Sequence, residues 1–231
     1  MLVTGFPAGA FAANCYLIAP SPGEECVIID PGQDAQRGIE EVVARYRLKP
    51  IAVMLTHGHL DHVWSVGPVC GAKGIPAYIH PDDRALLTDP AKALSMQAQQ
   101  QLFGGVVTLS EPDDVLELGD DTVITLAGLD FRVGHVPGHT EGSVTFRTLD
   151  GEGDDELDAL FSGDLLFAGS IGRTDLPGGD HRKMLSSLAK TLTLPDETVV
   201  LPGHGPHTTI GAERAANPFL TGLGKPAQKG L

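Results

Sequence analysis

Four apolar runs in this chain each end directly at a histidine or an aspartate, and this arrangement restricts the fold more than any other feature of the sequence. The runs VMLT, FRVGHV, ALF and TVVL lead into HGHLDH, PGHT, SGD and PGHG, respectively. Short apolar runs bounded by glycine and proline are typical of strands. Because ligands in α/β proteins collect beyond the carboxyl ends of strands, four such ends predict one shared site. The metal-competent residues at these ends are His57, His59, Asp61, His62, His139, Asp164 and His204.

The spacing within the first cluster indicates two metal ions. His57 and His59 are two positions apart, so in an extended segment their side chains point the same way and can hold one ion together. Asp61 and His62 follow after the chain has turned, so they can face a second ion. Imidazole and carboxylate are preferred ligands of zinc and similar ions. We therefore expect two divalent ions, zinc first, with iron and manganese as alternatives.

Strands and helices alternate along the chain, which predicts an α/β fold. Helical spacing or composition predicts helices at Asp34–Arg47, Pro90–Phe103 and His181–Leu192. The length fits a single domain over residues 1–221, followed by a flexible Gly-, Pro- and Lys-containing tail at 222–231. The predicted strands are Asn14–Ala19, Cys26–Asp30, Ile51–Thr56, Ala77–His80, Thr122–Leu126, Leu129–Val136, Ser143–Thr148, Leu160–Ser162 and Thr198–Leu201.

Composition excludes several classes of protein. Hydrophobic residues make up 42% of the chain and charged residues 20%, which is typical of a compact globular protein. A net charge of −14 opposes binding to nucleic acid. Apolar stretches are too short to span a bilayer, and the N-terminus lacks the basic region of a signal peptide. Three cysteines without a CxxC pair favour buried thiols in a reducing compartment. We expect a soluble cytoplasmic protein, as a monomer or small homo-oligomer.

The HxHxDH motif, followed by a distant His, a distant Asp and a last His, resembles the metallo-β-lactamase superfamily. The resemblance implies an αββα sandwich of two mixed sheets flanked by helices, with the metal site at one edge. It also implies that Asp30, at the end of an early strand, orients a ligand histidine, with a plain turn residue as the alternative. The implied ligands are His57, His59 and His139 for the first metal, Asp61, His62 and His204 for the second, and Asp164 as the bridge between them.

Within the superfamily, the chain is similar to the short branch of glyoxalase II-type enzymes. The similarity lies in the segments SGDLLF, GRTD and GHGP. It implies hydrolysis of a small-thiol thioester such as S-lactoylglutathione by a metal-bridging hydroxide. His57 and His59 would hold the ion that polarises the carbonyl, and Asp61 would orient the hydroxide. Gly58 stands where the long enzymes have a further His.

Two residues are candidates for contact with the substrate. Arg173 can grip an anionic group because its guanidinium fits carboxylates, but a salt bridge to Asp175 or Asp180 is an equal alternative. Long glyoxalase II enzymes hold glutathione with a Lys and a Tyr at the positions of Arg173 and Asp175. His207, three residues after His204, is predicted to line the cleft.

Three other functions fit parts of this pattern. A mononuclear iron persulfide dioxygenase of the same fold shares the first motif and a GRTDF-like segment, but its last motif generally reads PAHDY where this chain has PGHG. A lactonase remains possible because lactonases keep the bridging Asp that β-lactamases of this fold lack. A non-catalytic zinc module is disfavoured, because seven ligands for two ions leave coordination positions open.

Overall fold

Two six-stranded mixed sheets form the framework of the protein in a computed structural model, which describes residues 1–94, 108–148, 158–220 and Leu223. The N-terminal sheet runs, in spatial order, β1 (Leu2–Ala8), β2 (Ala13–Ala19), β3 (Glu25–Ile29), β4 (Lys49–Met54), β5 (Ala77–Ile79) and β6 (Val115–Glu117). The C-terminal sheet runs β14 (Thr208–Thr209), β13 (Val199–Pro202), β10 (Ala159–Gly163), β9 (Val144–Thr148), β8 (Leu129–His135) and β7 (Val123–Leu126). A small hairpin pairs β11 (Leu166–Phe167) with β12 (Ser170–Ile171).

Helices cover the outer faces of the sheets. The α-helices of the described residues are α1 (Ala35–Tyr46), α2 (Leu60–Val63), α3 (Val66–Lys73), α4 (Pro81–Arg84), α5 (His181–Thr191) and α6 (Ile210–Ala216), with 3-10 turns at Ala85–Leu87 and Pro90–Ala93. The side chain of Asp180 caps α5 by accepting hydrogen bonds from the backbone N–H groups of Arg182 (2.8 Å) and Lys183 (3.1 Å). Such a cap satisfies N–H groups that have no partner inside the helix.

Alternating side chains of each sheet build separate apolar layers. Leu17 and Ile18 are neighbours in β2, yet Leu17 packs in the layer that contains Ile39 of α1, and Ile18 packs between the sheets. The layer between the sheets is completed by Phe131 and Phe146 of the C-terminal sheet, both fully buried. Each such side chain contributes about 1.5–3 kcal/mol when buried.

The opposite face of the C-terminal sheet packs against helices in the same way. Leu160 of β10 and Val200 of β13 contact the layer that contains Met184 and Leu188 of α5. Both sheets are therefore covered on the outside by helices and on the inside by each other. This is the αββα sandwich of two mixed sheets that the sequence predicts.

The predicted elements are confirmed where the structure describes them. All nine predicted strands and the helices Ala35–Tyr46 and His181–Thr191 are present, with ends that differ by one or two residues. The predicted helix Pro90–Phe103 begins as a 3-10 turn at Pro90–Ala93, and its part beyond position 94 lies outside the described residues. The predicted tail, 222–231, also lies outside them, apart from Leu223.

Two predictions from composition can be compared with the described residues. Cys15, Cys26 and Cys70 are all buried and free, as expected for small apolar side chains. Among the described residues, no helix combines the length and the apolar character that a bilayer crossing requires.

Pairs of parallel strands bring their carboxyl ends to one edge of the sandwich. In the N-terminal sheet β3 is parallel to β4, and in the C-terminal sheet β10 is parallel to β13. Hydrogen bonds join the sheets at this edge: the backbone N–H of Asn14 donates to Gly203 O (2.7 Å), the hydroxyl of Tyr16 to Pro202 O (2.8 Å), and the N–H of Val144 to Thr56 O (2.8 Å). The ends of four strands therefore face one another.

Candidate metal centre

The seven predicted ligand side chains all lie at this edge of the sandwich. The loop after β4 carries His57, and His59 precedes the short helix α2, which carries Asp61 and His62. The ligands supplied from the other sheet follow β8 (His139), β10 (Asp164) and β13 (His204).

The ligand atoms form two groups, each compact enough for one ion. His57, His59 and His139 form the first group, and Asp61, His62 and His204 form the second; within each group the ligand atoms lie within 4.8 Å of one another. In the first group, His59 Nδ1 is 2.7 Å from His139 Nε2. In the second, His204 Nε2 is 3.2 Å from both Asp61 Oδ2 and His62 Nε2.

Asp164 lies between the two groups. Its Oδ2 is 3.4 Å from His139 Nε2 of the first group and 3.7 Å from His204 Nε2 of the second. Its Oδ1 is 3.5 Å from His62 Nε2. One carboxylate therefore faces both groups, which is the arrangement needed to bridge two ions.

Hydrogen bonds behind the site determine which nitrogens face it. Asp30 accepts hydrogen bonds from the backbone N–H (2.8 Å) and the hydroxyl (2.6 Å) of Thr56, and its Oδ2 is 3.0 Å from His62 Nδ1. Because the hydroxyl proton of Thr56 goes to Asp30, Thr56 Oγ1 accepts from His57 Nδ1, 3.0 Å away. In their neutral forms, both His57 and His62 then carry the lone pair on Nε2, which points to the site.

Asp30 thus has the orienting position predicted for it, whereas Thr56 was not anticipated from the sequence. His139, one of the two histidines supplied by the C-terminal sheet, is oriented similarly: its Nδ1 donates to the backbone carbonyl of Arg173 at 2.8 Å. Its Nε2 therefore also carries a lone pair towards the site.

The pKa values of the histidines shift in opposite directions in the two groups. Burial and the nearby imidazoles of His62 and His139 lower the pKa of His57 well below its usual range, and burial also lowers the pKa of His59. For His62, burial would lower the pKa, but the charges of Asp61, Asp164 and Asp30 outweigh it and raise the pKa to about 10.

The pKa of Asp61, the carboxylate of the second group, shifts in the direction opposite to that of His62. Burial would raise the pKa of Asp61, but His62 and His204 outweigh it and hold the pKa well below its usual range. The pKa of His204 is raised, because the hydrogen bond to Asp61 and the charge of Asp164 outweigh burial. Positive charge therefore collects on the imidazoles beside the two carboxylates, where a divalent ion would displace the protons.

The residues at this edge fit divalent ions. His57 Nε2, His59 Nε2 and Asp164 Oδ1 are buried and have no hydrogen-bond partner among the described residues. A buried polar atom without a partner costs about 1–3 kcal/mol, so His57 Nε2 and Asp164 Oδ1 at one place indicate a cation-binding site. The nitrogen by which His59 meets His139 is its Nδ1. Imidazole and carboxylate donors suit zinc, iron and manganese alike, so the donor set does not select one metal.

Two glycines permit the close packing of the ligands. A Cβ at Gly203 would collide with Asp164 Oδ1 and would lie 2.8 Å from His62 Cε1. Gly163 has a φ of +49°, and a Cβ there would lie 2.6 Å from Thr56 Oγ1. Glycine is therefore required where the ends of β10 and β13 approach the site.

A cleft of about 570 Å³ opens over the two groups. His59, Asp61, His139, Asp164 and His204 form its floor. Its walls are mostly apolar, with Phe11, Leu60, Ala93, Leu94, Phe167, Ile171 and Leu176, and Arg173 completes the described lining. A floor of metal-competent groups beneath apolar walls is typical of a small-molecule site.

The two predicted substrate contacts occupy different places. Arg173 lines the cleft, and its guanidinium forms a bidentate pair with Asp175, with Nε–Oδ1 and Nη2–Oδ2 both at 2.7 Å. His207 is exposed, with its ring centroid 5.9 Å from that of Tyr16, and is not among the described residues that line the cleft. Substrate contact by either residue stays a prediction.

Two sheets facing each other, helices outside and a His- and Asp-lined edge define a metallo-β-lactamase fold. The family model described as the metallo-beta-lactamase superfamily matches residues 8–204. The chain belongs to this superfamily.

Several relatives match over nearly their whole length. An uncharacterized protein of Mycobacterium tuberculosis (strain H37Rv) is 50% identical over 97% of this chain and 100% of its own. The probable metallo-hydrolase YqgX of Bacillus subtilis is 36% identical over 94% and 96% of the two chains. The hydroxyacylglutathione hydrolase GloC of Haemophilus influenzae is 36% identical over 93% and 95%.

Solved structures agree with this assignment. BLEG-1, described as a B3 metallo-beta-lactamase, superposes with a TM-score of 0.82 at 41% identity, covering 96% of this chain and 100% of its own. TTHA1623, solved in a di-iron-bound form, has a TM-score of 0.74 at 39% identity, covering 95% and 100%. Relatives of the same fold thus include proteins named hydrolases and one that holds two iron ions.

Proposed function

We propose that the protein is a binuclear metal-dependent hydrolase that cleaves the thioester of a small thiol. The observation that carries the proposal is the position of Asp164, whose two oxygens face both groups of histidines below an apolar cleft. A bridging carboxylate is the feature expected of two ions that act together. The proposed ligands are the three side chains of each group and Asp164 between them.

Divalent ions at these ligands would supply an activated water and would polarise the carbonyl oxygen of the substrate. The chain supplies the remaining functions. Asp61 is held in its ionised form by its histidine neighbours and lines the cleft, so it can accept a hydrogen bond from the attacking water. Asp30 and Thr56 keep two ligand imidazoles in the tautomer that presents Nε2.

The apolar walls complete the site by excluding bulk water around the reacting bond. Phe167, Ile171 and Leu176 line one part of the cleft and suit the carbon skeleton of an acyl group. The reaction balances with one water: its oxygen joins the acyl carbon, the carbon–sulfur bond breaks, and the thiol leaves with a proton. The similarity to GloC, named a hydroxyacylglutathione hydrolase, supports a thioester as the substrate.

The test is hydrolysis of S-lactoylglutathione and of an uncharged aryl thioacetate by protein whose metal content is measured in parallel. We expect chelator-sensitive hydrolysis of at least one thioester and about two ions per chain. His139→Ala should abolish activity, whereas His135→Ala, which changes a histidine outside the site, should retain it. A fully loaded protein that cleaves neither thioester would refute the proposal.

A second candidate function is hydrolysis of a β-lactam, which the similarity to BLEG-1 favours. Asp164 stands against this candidate, because β-lactamases of this fold lack the bridging Asp; in this chain the same seven side chains would hold the ions for either reaction, so the substrate must distinguish them. A chromogenic cephalosporin assayed beside the thioesters decides between them by kcat/KM. A content of one iron ion per chain, together with oxygen consumption when a persulfide is added, would instead identify the mononuclear dioxygenase. A lactone assayed beside the other substrates tests for lactonase activity.

A further inference from the structure

A buried carboxylate outside the seven proposed ligands connects the two loops that carry the first group of histidines. Asp83 lies in α4 and is only 1% exposed. Its Oδ2 accepts hydrogen bonds from the backbone N–H of Gly58 (2.8 Å) and the hydroxyl of Thr140 (2.6 Å). Its Oδ1 accepts from the backbone N–H of Gly142 (2.8 Å).

The partners of Asp83 adjoin ligands from both sides of the sandwich. Gly58 lies between His57 and His59, and Thr140 directly follows His139. The imidazoles of His59 and His139 approach to 2.7 Å at the centre of the first group, although they are 80 residues apart in the chain. One side chain therefore fixes the backbone on both sides of that contact.

The loop that follows His139 is closed tightly around the carboxylate. Thr140 Oγ1 also lies 2.7 Å from the hydroxyl of Ser143, which accepts from the backbone N–H of Thr140 at 3.1 Å. A Cβ at Gly142 would lie 2.7 Å from Asp83 Cγ, so the loop backbone packs directly on the carboxyl group. A carboxylate with this many fixed donors holds its partners more rigidly than an apolar contact would.

We propose that Asp83 is a positioning residue of the metal centre, whose three hydrogen bonds set the distance between the His57–His59 loop and the His139 loop. The inference rests on the metal site of the proposed function and not on the identity of the substrate. Ligand positions must be correct to within about 0.2 Å for an ion to bind well. Groups that hold ligands in place typically change metal affinity by about 10–100-fold when they are removed.

The test compares Asp83→Asn with a matched control, Glu213→Gln. Glu213 is also a buried carboxylate with three donors: the backbone N–H of Gly169 (2.8 Å), the amide of Asn217 (2.7 Å) and the hydroxyl of Thr208 (2.7 Å). Both changes replace one carboxylate oxygen by an amide nitrogen, which donates hydrogen bonds and cannot accept them. Both substitutions should lower the melting temperature of the metal-free protein by similar amounts. Only Asp83, however, lies between the two loops that carry the histidines.

The readouts are the affinity for zinc, by competition with a chromophoric chelator, and the visible spectrum of the cobalt-substituted protein. For Asp83→Asn we expect zinc binding about 10–100-fold weaker and an altered cobalt spectrum. For Glu213→Gln we expect wild-type values for both. Wild-type affinity in Asp83→Asn, or an equal loss in Glu213→Gln, would overturn the proposal.

A milder variant keeps the test decisive if Asp83→Asn does not fold. Thr140→Val removes one of the three hydrogen bonds and leaves the carboxylate in place. It should fold and weaken zinc binding by a smaller factor; unchanged affinity and spectrum would count against the proposal. Because no substrate is present in these measurements, failure of the thioesterase assay leaves their result intact.

Discussion

At the scale of single residues, the absence of a side chain at Gly203 is what lets Asp164 and His62 approach the end of β13. We predict that Gly203→Ala forces these two side chains apart, because its methyl group would collide with Asp164 Oδ1 and lie 2.8 Å from His62 Cε1. Overpacking of this kind typically costs about 1–3 kcal/mol. The expected result is a lower free energy of unfolding in urea and weaker zinc binding.

Gly71 provides the matched control for that substitution. It lies in α3, and a Cβ there would have no heavy atom within 4 Å. Gly71→Ala should therefore stabilise the protein by about 0.4–1 kcal/mol, because alanine loses less backbone entropy in a helix than glycine. Equal zinc affinity in the two variants would show that the crowding at Gly203 does not affect the site.

The pair of Arg173 and Asp175 carries a prediction about substrate charge. Because the carboxylate neutralises the guanidinium at the cleft, Asp175→Asn should expose a positive charge to the substrate. The pair is more than half exposed, so the expected gain is modest: KM for S-lactoylglutathione, which bears carboxylates, should fall about 2–5-fold. KM for an uncharged thioester should stay unchanged, and Asp175→Asn combined with Arg173→Met should reverse the gain. A parallel change for both substrates would refute the prediction.

That the seven proposed ligands lie at one edge could be predicted from the sequence, because each follows a strand within a short motif. Asp83 and Thr56 could not, because their partners are defined only by the folded chain. Asp83 contacts residues 25, 57 and 59 positions away, and Thr56 acts through Asp30, 26 positions earlier. The sequence around a polar residue does not indicate which distant backbone N–H group will donate a hydrogen bond to it.

At the scale of elements, a partly buried ion pair ties β9 and β10 to the start of β13. Asp158 accepts from Arg147 Nε (2.7 Å) and Nη2 (2.8 Å) and from the hydroxyl of Thr198 (2.5 Å). Burial would raise the pKa of Asp158, but these hydrogen bonds outweigh it, so the pKa is lowered. The stability that the pair contributes is therefore present at neutral pH and is lost as the pH falls.

We predict that Asp158→Asn lowers the free energy of unfolding by about 1 kcal/mol at pH 7, a value kept small because solvent screens the pair. The difference from the wild type should shrink as the pH falls below about 4, the usual pKa of an aspartate. Urea unfolding at a series of pH values measures it, and Arg147→Met should show the same pH dependence. A difference that stays constant with pH would mean that the charge of Asp158 contributes no stability.

The strands that the sequence did not predict are short or lie at an edge. The hairpin strands β11 and β12 and the edge strand β14 have two residues each, too few to show alternation of apolar and polar residues. β1 has seven residues but is an edge strand with mostly half-exposed side chains, and it contains Gly5 and Pro7. Pairing with β2 decides that this segment is a strand, and pairing is a tertiary property.

At the scale of the whole molecule, the proposed ions connect the two halves of the sandwich. His57, His59, Asp61 and His62 follow the N-terminal sheet, whereas the other three ligands follow strands of the C-terminal sheet. The apolar layers between the sheets and beneath the helices are built from other residues than these ligands. The fold therefore has its own source of stability, and metal binding adds to it by linking the halves.

This separation predicts how the protein responds to a chelator. The metal-free protein should stay folded at 25 °C, because its three apolar layers remain intact. An ion present at about 100 times its Kd stabilises the folded state by about 2.7 kcal/mol, so each bound ion should raise Tm by roughly 5–10 °C in a protein of this size. Calorimetry with and without chelator, with far-UV circular dichroism at 25 °C as the control for folding, measures both effects. Unfolding on chelation would show that the ions hold the sheets together, and an unchanged Tm would show that the seven side chains do not bind metal.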